Sequence, residues 1–187
     1  MNIKDTAKKV FAEYQQVFER LDENMVNSFV KLVQEHNRIF FIGVGREGIM
    51  TRAFAMRLMH MGKEIHWIWD DTTPSINNGD LLVATIGGGN IGHIRYVCER
   101  AKSNGATVAV MTGSPSGEAV KAVADFVLFI PAAVYLGKDD VVPSIQPMGN
   151  LFEQCLLITC DLIVMKIVDE TPAISFEKME KRHRNVE

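Results

Sequence analysis

Two glycine-rich loops and one isolated glutamate carry most of the chemistry this sequence can do. Gly43-Val44-Gly45-Arg46-Glu47-Gly48 follows a short apolar run and precedes a helical pattern at Ile49–Met61. Glycine permits tight turns and close backbone approach, and a helix N-terminus presents free N–H groups to an anion. Arg46 adds a fixed, multi-donor cation suited to phosphate. Gly87-Gly88-Gly89-Asn90-Ile91-Gly92 repeats the arrangement after a later run. Its amides would cradle an anion, and no GK[ST] follows to make it a nucleoside-triphosphate loop. Thr112, Gly113, Ser114 and Ser116 end another run and add hydroxyls, although Ser114 or Ser116 would serve equally as a helix cap. Gly45, Arg46, Gly48, Gly87, Gly88, Gly89, Asn90 and Thr112 are thus the candidate contacts to a small phosphorylated ligand. Two other readings of the first loop stand beside this one. It is a plain tight turn, or it is a dinucleotide site with Asp70 or Asp71 as the acidic partner.

The remaining candidates are acid–base groups. Glu153 opens a strongly apolar helical stretch after a proline–glycine turn and has few charged neighbours in sequence. That makes it the first choice for a general base; the plainer reading is a first-turn carboxylate that favours helix initiation. His60 follows the first loop on its helix, three residues past Arg57, and His183 lies in a charged tail that would reach a neighbouring subunit. His93 sits just past the second loop, where it would touch an anion; His36 and His66 are read as incidental. Cys155 and Cys160 have no metal-ligand spacing, no histidine stands near them, and no metal or other cofactor is implied.

Composition sets the frame. The chain has 187 residues, 47% apolar and 23% charged, enough for one domain with a sizeable core. A formal charge of −3 argues against nucleic acid as partner. Three scattered cysteines argue for a reducing cytoplasm. Residues 1–30 carry charges throughout, unlike a signal peptide, and no apolar stretch reaches the ~20 residues of a membrane span.

Residues 1–35 read as a helical arm with a break near Asp22–Asn24, packed on its own domain or on another subunit. Residues 36–170 read as the α/β core and 171–187 as a tail. Apolar runs at Arg38–Gly43, Glu64–Trp67, Asp80–Ile86, Ala106–Thr112 and Phe126–Ile130 alternate with helical patterns. That rhythm predicts a three-layer α/β/α sandwich on a five-stranded parallel sheet. Residues 131–149 form a long loop of the kind that is often functional. Leu151–Val168 is apolar on nearly every face, which predicts a second subunit covering it.

The chain resembles the sugar isomerase (SIS) domain family, and within it the 6-phospho-3-hexuloisomerases. The resemblance lies in Gly43–Gly62, Thr72–Ile86 with its Gly79-Asp80 turn, Ser144–Gln154 (SIQPMGNLFEQ) and Lys181–Glu187. It implies a flavodoxin-like parallel sheet, a homotetramer (or dimer), a cytoplasmic location and no metal. The implied reaction interconverts D-arabino-hex-3-ulose 6-phosphate and D-fructose 6-phosphate, as in formaldehyde fixation through ribulose monophosphate. The resemblance also places the family's proposed base at Glu153. From their positions, His60 and His183 are further catalytic candidates, although His60 reads equally as a packed or subunit-contact histidine and His183 as a solvated tail residue; Gln146 is a candidate substrate contact. Two departures stand out. The family's Arg-Ser-Gly is Arg46-Glu47-Gly48 here, and its Ser-Gly-Ser-Gly-Glu-Thr is Gly87–Gly92, so hydroxyl donors are missing from both loops. Glu47 adds a negative charge near the anion position, unfavourable by ~1 kcal/mol. The altered loops favour the alternative of a sugar-phosphate binder that is non-catalytic or differs in specificity.

Overall fold

In β1 (Arg38–Ile42), Ile39 and Phe41 point to one side of the sheet while Phe40 and Ile42 point to the other, and all four are fully buried. A strand with apolar groups on both faces needs helices on both faces. The structure, a computed structural model, describes residues 1–186. It adds β2 (Glu64–Trp67), β3 (Leu81–Thr85), β4 (Thr107–Thr112) and β5 (Phe126–Phe129), all parallel, in the order β2-β1-β3-β4-β5. This is the expected doubly wound sheet. Its strand order reverses between β1 and β3, which opens a crevice at the carboxyl edge there.

One face of the sheet is covered by α2 (Glu23–Glu35), α3 (Gly45–His60) and α6 (Asn150–Glu170). The other is covered by α4 (Gly92–Ser103) and α5 (Glu118–Val123) through Ile94, Cys98, Ala101, Ala119, Val120 and Val123. The N-terminal segment breaks where the sequence suggested. After α1 (Ile3–Arg20), the Asp22 carboxylate caps α2 by accepting from the amides of Asn24 and Met25. These helices pack on their own chain. Val17, Phe29, Val30 and Val33 are sealed in the core, and the Phe29 ring lies 6.3 Å from Phe54 and 5.9 Å from Phe126. α2 is therefore part of the sandwich and not an arm. Outwardly, α6 leaves Leu162 and Met165 exposed while Leu156, Ile163 and Ile167 are buried.

The helix after the first glycine loop begins at Gly45 rather than at Ile49. Gly45, Arg46, Glu47 and Gly48 are its first turn. The reason is a close approach: a Cβ on Gly48 would lie 2.7 Å from the Gly43 carbonyl oxygen, so the helix can start directly on the strand end. At the opposite edge, Arg38 grips Asp80 with two hydrogen bonds of 2.7 Å and ties the start of β1 to the turn before β3.

Phe29→Ala should cost about 3–5 kcal/mol, as expected for a sealed aromatic. Urea denaturation measures this, and a loss far smaller would make α2 peripheral.

Candidate active site

Residues 131–149 bring α6 to the carboxyl edge of the sheet, and three polar ties hold them. Arg20 donates to the backbone carbonyl and the carboxylate of Asp140, at 3.1 and 3.0 Å. The hydroxyls of Ser114 and Ser116 donate to Asp139, at 2.6 and 2.8 Å. Glu13 of α1 accepts from the Ser144 hydroxyl and the Ile145 amide at 2.7 Å and from the Gln146 amide group at 3.2 Å. Burial pushes the Glu13 carboxyl up, but these hydrogen bonds outweigh it and hold it below the ordinary carboxylate range. Met148 (φ 58°) and Gly149 (φ 81°) then turn the chain sharply into α6. At Gly149 that backbone suits glycine, and a Cβ there would sit 2.9 Å from the Tyr135 amide.

This turn sets Asn150 and Glu153 against the first turn of α3. Arg46 Nη1 donates to Glu153 Oε2 at 2.6 Å and to Asn150 Oδ1 at 2.8 Å. The Glu153 side chain is only 13% exposed, and Arg46 is 42% exposed. A mostly covered carboxylate with its cation facing the crevice is suited to proton transfer. Glu47 lies alongside. The Gly87 amide donates to its Oε2 at 2.9 Å, bridging the crevice between β1 and β3. Burial pushes the Glu47 carboxyl up to about 7; the Gly87 hydrogen bond opposes this and the nearby Glu153 charge adds to it. Beneath it, the hydroxyls of Thr51 and Thr85 pair at 2.6 Å, and Thr51 also donates to the Glu47 carbonyl.

The second glycine loop is only partly the open cradle that the sequence suggested. Its first amide goes to Glu47, and the Gly89 amide bonds to the Ile86 carbonyl. Among the described residues the amides of Gly88 and Asn90 have no partner, and the first turn of α4 follows them. The glycines also serve packing. A Cβ on Gly88 would lie 2.7 Å from the Tyr135 carbonyl oxygen, and one on Gly89 would lie 2.7 Å from that of Ser114. Thr112 is sealed, its hydroxyl donating to the carbonyls of Ile86 and Gly87 and accepting from the Ser114 amide, so it shapes the loop from within. Gln146 is held by Glu13. Gly45 is exposed at the head of α3, and Gly48 is buried against Gly43.

The histidines lie elsewhere. His60 is buried, its ring 5.3 Å from His183, in a cleft of about 540 Å³ that Arg57, Asp161, Met165 and Phe176 also line. Burial first, then the charges of Arg57 and His183, lowers the His60 pKa. Helix α3 separates this cleft from Glu153. His60 is fourteen positions past Arg46, or about 21 Å at 1.5 Å per residue. One chain therefore does not bring His60 or His183 to Glu153. His93 is exposed beside the second loop and stacks on Trp69, with centroids 5.8 Å apart. Asp70 pairs with Arg52 at 3.2 Å, and Arg52 lies over Trp67. Burial pushes the Cys155 thiol up to about 12, which leaves it inert as a nucleophile. Among the described residues no cluster of three metal-ligating side chains exists, and no helix is long and apolar enough to cross a membrane.

Sequence reasoning missed Glu13 and Asn150 as parts of the site. Asn150 stood inside the SIQPMGNLFEQ segment, three residues before Glu153, and that spacing could have revealed it. Nothing local marks Glu13, which is 131 residues from its partner Ser144.

A doubly wound sheet whose glycine loops and carboxylates converge at the β1/β3 crevice defines an α/β protein built to take a small polar ligand. The chain matches the SIS domain over residues 31–134. It is 34% identical over 168 residues to the 3-hexulose-6-phosphate isomerase of Mycobacterium gastri, covering 90% of this chain and 83% of that one. To the 3-hexulose-6-phosphate isomerase of Bacillus subtilis (strain 168) it is 36% identical over 151 residues, covering 81% and 80%. A crystal structure of a Methanococcus jannaschii protein, inferred to be a 3-hexulose-6-phosphate isomerase, is 28% identical with a TM-score of 0.82 over 98% of this chain and 99% of that one. This chain belongs to the SIS-domain family.

The two carboxyls give opposite pH signatures. Glu13 titrates below its unfolded value of 4.5, so its contribution is full above that pH and is lost as pH falls further. Glu13→Gln should therefore be less stable than wild type at neutral pH, by about 1–3 kcal/mol, and the gap should close in acid. Glu47 titrates above 4.5, near 7, so it lowers stability as pH rises between those values. Glu47→Gln should flatten that slope and be the more stable protein above pH 7. Thermal melts from pH 3 to 9 check both.

Proposed function

We propose that this phosphosugar isomerase interconverts D-arabino-hex-3-ulose 6-phosphate and D-fructose 6-phosphate, with Glu153 as the base. The observation that carries the reading is the Glu153 carboxylate, paired with Arg46 and held at the rim of the β1/β3 crevice. Moving a carbonyl to the adjacent carbon needs one group that takes the proton alpha to it and returns that proton next door through an enediol. A carboxylate fixed by an ion pair and a helix start is well placed for this. The unpartnered amides of Gly88 and Asn90 and the N-terminus of α4 are the groups left for the phosphate. Arg46 positions Glu153 and contributes positive charge to the same space. The isomerases named from Mycobacterium gastri and Bacillus subtilis, at 34% and 36% identity, support this choice of substrate.

The reading includes a cytoplasmic homo-oligomer, a tetramer on the family resemblance, acting next to ribulose monophosphate chemistry. The exposed Leu162 and Met165 on α6 are consistent with a covered face in such an assembly. His60 and His183 would take part only across a subunit boundary, because their own chain holds them at the far end of α3.

The test is a coupled assay that follows fructose 6-phosphate formed from freshly generated hex-3-ulose 6-phosphate. Wild type should turn over, and Glu153→Gln should lose about 10²–10⁴-fold in kcat with KM little changed. Binding of fructose 6-phosphate without turnover would instead define a sugar-phosphate binder.

A further inference from the structure

Glu47 is a half-buried acidic group at the crevice to which the single-base scheme gives no task. Its Oε2 is fixed by the Gly87 amide. Its Oε1 has no partner among the described residues, yet it is not one of the sealed, unpartnered atoms, so it opens to solvent. The position of the carboxyl is enforced. A Cβ on Gly87 would lie 2.2 Å from Glu47 Oε1 and 2.8 Å from the Phe152 ring, so glycine there makes room for the acid. From α6 it faces Phe152 and the charged Glu153. From the loop after β3 it meets only backbone, and its neighbour Arg46 is turned toward Glu153. The site therefore holds two carboxyls in different surroundings. One faces a guanidinium; the other lies in a covered niche with a single amide donor. Such a pair divides naturally into a base and an acid.

We propose that Glu47 is the second proton-transfer group of this site, carrying the oxygen-bound protons while Glu153 carries the carbon-bound one. The proposal rests on the isomerase reading above, and the steps balance without any further reactant. The Glu153 carboxylate takes the proton from C2, the electrons of that bond form C2=C3, and the C3 carbonyl oxygen takes the proton from Glu47 Oε1. Glu47, now a carboxylate, removes the proton from the C2 hydroxyl as the C2 carbonyl forms. The electrons of C2=C3 then take the proton from Glu153 at C3. Both carboxyls end as they began. Throughout, the Gly87 amide bonds the oxygen that does not carry the proton and stabilises the carboxylate as it appears. Burial keeps this acid protonated to about neutral pH, the range in which a proton donor is most useful. Serine, the residue the family resemblance would place here, lacks an acid of that strength.

The experiment compares wild type, Glu47→Gln and Glu47→Ser in the fructose 6-phosphate assay across pH 5–9. Glutamine keeps an acceptor for the Gly87 amide, and calorimetric binding of fructose 6-phosphate reports whether the site is intact. We expect kcat of Glu47→Gln to fall about 10²-fold or more with binding retained. The wild-type rate should decline as pH rises through about 7, and that decline should be missing from the residual activity of Glu47→Gln. A Glu47→Gln enzyme with wild-type kcat and the same alkaline decline would overturn the assignment while leaving Glu153 in place. So would a Glu47→Ser enzyme as fast as wild type. A wild type that binds fructose 6-phosphate but never turns over would overturn the isomerase reading, and the role of Glu47 with it.

Discussion

Helices α3 and α6 lie side by side on one face of the sheet with their N-termini at the same edge, and the chemistry of this protein follows from that. Arg46 and Glu153 meet at one end of the pair, and His60 and Asp161 line one cleft toward the other. Two parallel helices bring their positive ends together, which is unfavourable unless negative charge sits between them. The Glu153 carboxylate in the first turn of α6 supplies it, and the Glu47 carboxyl lies beside it in the first turn of α3. The same arrangement crowds two carboxyls into one crevice. Their separation into an ion-paired group and a covered group resolves the crowding and sets up the acid–base asymmetry.

Glycine makes the geometry possible at two points. Gly48 lets α3 start against the carbonyl of Gly43, and Gly87 leaves room for the Glu47 carboxyl beside Phe152. Neither is an open anion loop. Much of the anion-binding capacity at this edge is already engaged by the protein's own carboxyl groups. Glu47 takes the Gly87 amide, Asp139 takes the hydroxyls of Ser114 and Ser116, and Glu153 takes Arg46. Polar groups satisfied in this way are fixed before a ligand arrives, which is the condition for electrostatic preorganisation. The free amides of Gly88 and Asn90 stand at the edge of that network.

The approach to α6 is held from a distance. Glu13 and Arg20, both on α1, fasten opposite ends of the segment from Asp140 to Gln146. The N-terminal helices thereby position the turn at Met148 and Gly149, and through it Asn150 and Glu153. Changes on α1 would reach the site along this route, and α1 also brings Tyr14 near it: burial first, then Cys155, pushes the Tyr14 phenol up, and Arg46 opposes this.

The five strands, their alternation with helices, the helix break at Asp22 and the prominence of Glu153 were all legible in the residues. Each is a local pattern: apolar periodicity, a capping carboxylate, or a lone charge at the start of an apolar helix. The resemblance carried by SIQPMGNLFEQ pointed to the family. Tertiary structure alone decided which groups meet. That α3 begins at Gly45 depends on a backbone contact between Gly43 and Gly48 that composition cannot show. That Glu47 turns into the crevice and bonds the Gly87 amide, 40 residues away, depends on β1 and β3 being neighbours. That His60 and His183 share a cleft remote from Glu153 depends on the length of α3. Local sequence determines which elements form, because propensity and periodicity act over a few residues. The partners of a charged side chain are determined by the packing of elements far apart in the chain, and only the folded structure specifies that.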